Sequence, residues 1–128
     1  MRRAEDLYKT YAREVPSAEN AVVAVYDQLV QSVLIAQRAI QAGRLEEAHR
    51  NLVASQDVLS ALAEGQAQDR QFAGADNLVS LLLYCRQELM EANVQKDVQR
   101  LAPVLSVLTT LRDAFLEASQ RLYGGDGQ

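Results

Sequence analysis

The chain has no tryptophan, one cysteine (Cys85), one histidine (His49) and two prolines (Pro16 and Pro103) among its 128 residues. A single cysteine excludes an intrachain disulfide and a cysteine-based zinc site. A reducing cytosol is then the simplest compartment. Two prolines and six glycines supply too few turns for an all-β fold. Basic residues are not in excess: 13 Lys and Arg stand against 17 Asp and Glu, a net charge of −4. A general binder of nucleic-acid backbone needs a basic face, so no nucleic-acid partner is expected. There is no long apolar run either. The most apolar stretch, residues 78–85, is interrupted by Ser80 and is far too short to cross a bilayer, so no membrane insertion is expected. Met1-Arg2-Arg3 leads into Ala4-Glu5-Asp6-Leu7-Tyr8-Lys9 without an apolar segment, so no export signal is expected. No Gly-rich phosphate loop, Ser-His-Asp set or carboxylate pair stands out. The expectation is a binding protein, not an enzyme, with no cofactor and no metal.

What remains is helix-forming. Ala, Leu, Gln, Glu and Arg dominate, apolar residues make up 48% of the chain, and the length suits one domain with one core. Punctuation divides the sequence into an arm of residues 1–15, a helical region of residues 16–123 and a tail of residues 124–128. In the arm, Leu7, Tyr8 and Tyr11 share a face at helical spacing. Pro16-Ser17 ends the arm, and Ser17 is placed to cap the first helix. That helix spans residues 18–42, with Gly43 just past its end, where a left-handed residue is wanted. A second spans residues 44–64, stopped in the same way by Gly65. Residues 66–75 read as a polar loop, with Asp76 as the next cap. A third helix spans residues 77–94 and a fourth residues 98–123, with Asp97 as its cap. Pro103 lies past the first turn of that helix, so either a kink or an offset first turn is expected there. Short connections make consecutive helices antiparallel. The fold class expected is all-α, an antiparallel up-down-up-down four-helix bundle with a short N-terminal helical arm.

The apolar faces are wider than a bundle core needs. The second helix has one stripe: Leu45, Ala48, Leu52, Ser55, Leu59 and Leu62. The first has Val22, Val25, Tyr26, Leu29, Val33, Ala36 and Ile40, with Val23, Val30 and Leu34 beside them. The third has Leu78, Leu81, Leu82, Cys85, Leu89 and Ala92, with a second stripe of Val79, Leu83, Met90 and Val94. The fourth has Leu101, Val104, Leu105, Leu108, Leu111, Phe115 and Leu122, flanked by Val107 and Ala114. Those extra stripes are either a thick core covered by the arm or a groove for a partner's amphipathic helices. The candidate partner-binding residues are Leu7, Tyr8 and Tyr11 of the arm, Tyr26, Val30 and Leu34 of the first helix, and Val79, Leu83, Met90 and Val94 of the third. Cys85 falls on the core stripe as a packing residue. His49 lies beside the stripe of the second helix, partly exposed, with no carboxylate at a supporting spacing for metal binding. Two other readings stay open: a histidine phosphotransfer-like bundle acting through His49, and a helical module that self-associates. Against the first, Leu52 and Val53 occupy the turn where such domains carry a small residue.

Several short pieces, in order and at matching separations, resemble the flagellar secretion chaperone FliS family along nearly the whole chain. They are Leu7-Tyr8-Lys9-Thr10-Tyr11, Val15-Pro16-Ser17-Ala18-Glu19, Val25-Tyr26-Asp27-Gln28, Ala39-Ile40 followed by Gly43, residues 78–84 followed by Leu89-Met90-Glu91-Ala92-Asn93, and Leu111-Arg112-Asp113-Ala114-Phe115 after Asp97 and Leu101. Gln28 stands where the family usually has glycine, and Phe115 where it usually has tryptophan. The start of the first helix lacks the usual Ser-Pro and Glu-Leu. The resemblance implies a cytosolic helical bundle that binds the disordered C-terminal segment of flagellin, with the arm moving aside. It implies that premature polymerisation is blocked and flagellin is delivered to an export gate of which FlhA is a component, without ATP or metal. A weak homodimer of the free chain is left open.

Overall fold

The computed structural model describes residues 18–68 and 75–123. Helix α1 spans Ala18–Gln41, α2 Leu45–Gln68, α3 Ala75–Gln95 and α4 Leu101–Tyr123, with a 3-10 turn at Val98–Arg100 before α4. There is no strand among the described residues. These are the elements of the all-α four-helix class that the sequence leads one to expect. The arm of residues 1–15, the cap at Ser17, the residues around Phe72 and the tail lie outside the described residues.

The helix ends follow from a few residues. Gly43 has φ of +78°. The Arg44 N–H donates to the Ala39 carbonyl at 2.8 Å and the Gly43 N–H to the Ile40 carbonyl at 3.1 Å. This 6→1 and 5→2 pair is the Schellman motif expected of a C-terminal glycine. The end of α3 repeats the closure without glycine. Lys96 takes φ of +51°, and the Asp97 N–H reaches the Ala92 carbonyl at 3.1 Å. A Cβ in that region is unfavourable. The Lys96 ammonium offsets part of the cost by donating to the Asn93 carbonyl at 2.6 Å and to Asn93 Oδ1 at 2.9 Å. Asp97 caps the 3-10 turn, its carboxylate accepting from the Gln99 N–H at 3.0 Å. Pro103 falls in the first turn of α4, where a missing N–H costs no intrahelical bond. Of the two outcomes expected at Pro103, the offset first turn is the one formed.

Three expectations are corrected. Gly65 does not stop the second helix; α2 runs on to Gln68, and Gly65 lacks the positive φ of a C-terminal cap. Glycine inside a helix costs only about 1 kcal/mol relative to alanine, less than a continuing helix gains. Asp76 is not ahead of α3 but within its first turn, where its charge suits the helix dipole. Leu45 is not core: it is 50% exposed as the first residue of α2.

The described residues fall into two compact units, one drawn from residues 18–31 and 106–123 and the other from Ser32–Leu105. In the first unit, Tyr26 stacks on Phe115 with ring centroids 5.4 Å apart and planes 17° from parallel. Beside it the Arg112 guanidinium meets Asp27 at 3.4 Å. Val23, Leu29, Val30 and Leu108 are buried there, together with Ser119, whose hydroxyl hid its place on the apolar stripe. In the second unit, α2 and α3 pack along one another. Ala48, Leu52, Ser55, Leu59 and Ala63 of α2 and Leu82, Cys85, Leu89 and Ala92 of α3 are buried. Ser55 satisfies its hydroxyl locally, donating to the Asn51 carbonyl at 2.8 Å. His49, early in α2, meets Asn93, late in α3. With the chain returning between Gln68 and Ala75, that contact makes the two helices antiparallel.

Candidate partner-binding face

Helix α3 leaves apolar side chains uncovered on a flank that its core residues do not use. Leu82, Cys85, Leu89 and Ala92 are fully buried. Val79, Leu83, Met90 and Val94 follow at i, i+4, i+11 and i+15, which gathers them within about 60° of the helix circumference. Leu83 is 43% exposed and Val94 84% exposed, while Val79 and Met90 are half-buried. The flank is therefore lined at its base and open along its edge. Leu83 and Val94 stand three turns apart along this flank with Met90 half-buried between them, which makes the flank a candidate, not a contiguous patch, for another chain to cover.

The bond between α2 and α3 locates this flank. Asn93 lies on the same side of the α3 core stripe as Val79, Leu83, Met90 and Val94, and it reaches His49. On α2, Val53 is one turn from His49 on that same side and is half-buried. The uncovered flank of α3 thus borders α2, with Val53 on its far edge and the His49–Asn93 contact at one end. Tyr84, 46% exposed, stands on the opposite flank of α3 and is not part of this face.

The other candidates are placed differently. Leu34, on α1, is half-buried. Tyr26 and Val30 are buried in the first unit, so neither presents a surface to a partner in this structure. The reason is steric: the ring of Tyr26 is stacked against Phe115, and Val30 sits one turn further along the same side. Leu7, Tyr8 and Tyr11 lie outside the described residues. Val53 and the His49–Asn93 link were not legible as site residues. A lone valine beside a complete core stripe carries no signal, and an Asn–His contact across 44 positions has no sequence spacing to betray it.

The chemistry of Cys85 is that of packing. Burial, then the nearby Glu88 carboxylate, push the Cys85 thiol up to about 11, so it is a neutral packing group at ordinary pH. Among the described residues no group of three or more His, Cys, Asp or Glu is placed to hold a metal ion. No described helix is long and apolar enough to cross a membrane.

Among the described residues, α2 and α3 pack on one another while part of the apolar surface of α3 stays exposed. The chain belongs to the flagellar protein FliS family, whose sequence model matches residues 1–122, and so to a family of flagellar export chaperones. No curated protein matches it. Two of the pieces that carry the family resemblance meet in the structure: Tyr26-Asp27 of one contacts Arg112 and Phe115 of the other. Phe115 fills the aromatic position by stacking on Tyr26, and Gln28 is exposed, so neither departure disturbs packing.

Proposed function

We propose that this chain is a cytosolic chaperone that binds the C-terminal segment of flagellin, prevents its premature polymerisation and helps deliver it to the export gate component FlhA. The observation that carries the reading is the family match over residues 1–122. The open flank of α3 supports it physically. A segment that folds only on binding must bury a long apolar surface to offset its ordering cost, and Leu83 and Val94 begin such a surface. The arm, with Leu7, Tyr8 and Tyr11, serves as the removable cover of this surface in the free protein. No observation favours the phosphotransfer or the self-association reading.

Calorimetry with a peptide of the flagellin C-terminus tests this. The expected result is one-to-one binding, a negative heat-capacity change and added helicity on mixing. Binding of flagellin that survives deletion of its C-terminal segment overturns the assignment of the ligand.

A further inference from the structure

A basic side chain sits within the apolar flank of α3. Arg86 comes three residues after Leu83 and four before Met90, so the three share a side of the helix. It is half-buried, and among the described residues it has no hydrogen bond and no ion pair. That sets it apart from the other arginines. Arg44, Arg50, Arg100, Arg112 and Arg121 each have a carboxylate within 3.8 Å. Arg38 also lacks one, but it is exposed in the last turn of α1, where a positive charge suits the helix dipole.

The placement of the acids explains why Arg86 is unpaired. The positions three and four residues from it on α3 hold Leu82, Leu83, Leu89 and Met90. Glu88 is bound by Arg100 at 3.2 Å, and Glu91 by the Gln87 amide at 3.1 Å. Across the helix pair, the His49–Asn93 contact sets the register. Counting on from His49 to Gln56 and back from Asn93 to Arg86, about two turns each, puts Gln56 opposite Arg86. Gln56 is half-buried and neutral. The guanidinium offers five N–H donors in a planar fork that matches a carboxylate. A bound chain that covers it with apolar side chains strips its remaining water and leaves a charge without a partner, which is strongly unfavourable. A bound chain that sets a carboxylate there replaces that water with charge-assisted hydrogen bonds.

We propose that Arg86 is a specificity residue of the partner-binding face, pairing with an aspartate or glutamate that the bound segment carries on its apolar side. The proposal rests on the reading of that face given above. Leu83 and Met90 lie about one turn to either side of Arg86. The segment selected is therefore one whose acid stands about one turn from apolar side chains in both directions. Selection works by exclusion as well as by attraction. A segment with an apolar residue or a lysine at that place leaves the guanidinium covered and unpaired, or repels it.

Double-mutant cycles with a flagellin C-terminal peptide test this in the full-length protein. Each aspartate and glutamate of the peptide is replaced in turn by asparagine or glutamine. Every peptide is titrated by calorimetry into the parent chain and into Arg86→Met, which keeps an unbranched apolar stem. Arg86→Met should retain the helical circular dichroism, because the guanidinium holds no partner in the free protein. It should bind the unaltered peptide more weakly, on the order of tenfold. One peptide replacement should cause a similar loss in the parent chain and almost none in Arg86→Met. Losses that add at every acidic position, or an Arg86→Met that binds as tightly as the parent, overturn the pairing. Leu83→Ala separates that failure from failure of the face. If Leu83→Ala weakens binding severalfold and Arg86→Met does not, the face stands and the role of Arg86 falls. If neither weakens it, the peptide binds elsewhere and the reading of the face falls. A peptide that binds none of these chains overturns the assignment of the ligand, and the proposal with it.

Discussion

Gly43 and Gly65 occupy opposite backbone situations, and their substitutions should move stability in opposite directions. Neither has an atom within 4 Å of a Cβ built on it, so space is not the issue. Gly43 has φ of +78°, and Gly43→Ala should cost about 1 kcal/mol through the left-handed backbone. Gly65 lies within α2, and Gly65→Ala should add about 0.5–1 kcal/mol by removing unfolded-state freedom. Urea denaturation of the two variants checks both signs. Cys85 gives a pH dependence. Its thiol is raised from an ordinary 9.0 to about 11, first by burial and then by Glu88. Below about pH 9 both folded and unfolded chains keep the proton and the thiol contributes no slope. Between about pH 9 and pH 11 the unfolded chain ionises first, so the folded state loses stability as pH rises. Cys85→Ala should lack that component in stability curves measured across this window. At neutral pH the thiol should react with a chromogenic disulfide reagent only after denaturation; prompt reaction of the native protein would show that the site is open.

At the scale of a helix, α3 separates buried from exposed apolar residues within a few positions. Leu83→Asp places a charge on a side chain that is 43% exposed. It should leave the helical circular dichroism intact and weaken flagellin binding by more than about 2 kcal/mol. Cys85→Asp places the same charge in a fully buried site and should unfold the chain. Met90 is half-buried, so Met90→Asp should weaken binding and also lower the melting temperature. Unfolding by Leu83→Asp as severe as that by Cys85→Asp would put the second stripe in the core. How far such a division can be read from sequence depends on the helix. On α3 the spacing separates the buried Leu82, Cys85, Leu89 and Ala92 from the exposed Leu83 and Val94, but Leu78 and Leu81 of the same core stripe are only half-buried and Tyr84 is exposed on the other flank. On α1 the same reasoning set Val23 and Val30 outside the core, and both are buried. Periodicity reports which residues share a side; it does not report how many neighbours cover that side. Turn chemistry was legible at Gly43, whose αL geometry only glycine adopts freely. It was silent at Lys96, where a tertiary arrangement holds a side-chain-bearing residue in that region, and misleading at Gly65, where helix propagation outweighs a modest propensity cost.

For the whole chain, the decisive physical matter is what controls access to the α3 face. At helical spacing Leu7, Tyr8 and Tyr11 would share an apolar face, on a segment too short to be a stable helix by itself. In the proposed function the arm is ordered by docking on an apolar surface, and the flank bearing Leu83 and Val94 is the candidate surface. In the proposed mechanism a docked arm competes with flagellin, so its docking free energy is subtracted from the partner's. A few side-chain contacts make that difference modest, on the order of 1–2 kcal/mol. Deleting residues 1–14 should therefore leave affinity for the flagellin C-terminal peptide equal or tighter by up to about tenfold. The deletion should also raise hydrogen exchange at residues 83–94 in the free protein and make it more prone to self-associate, because the face loses its cover. Export by the truncated chain can still fall if the arm also engages the gate, so affinity is the deciding quantity. Titration of the peptide into both forms, with sedimentation of each alone, separates the alternatives: a marked loss of affinity in the truncated protein would make the arm part of the binding site rather than its cover.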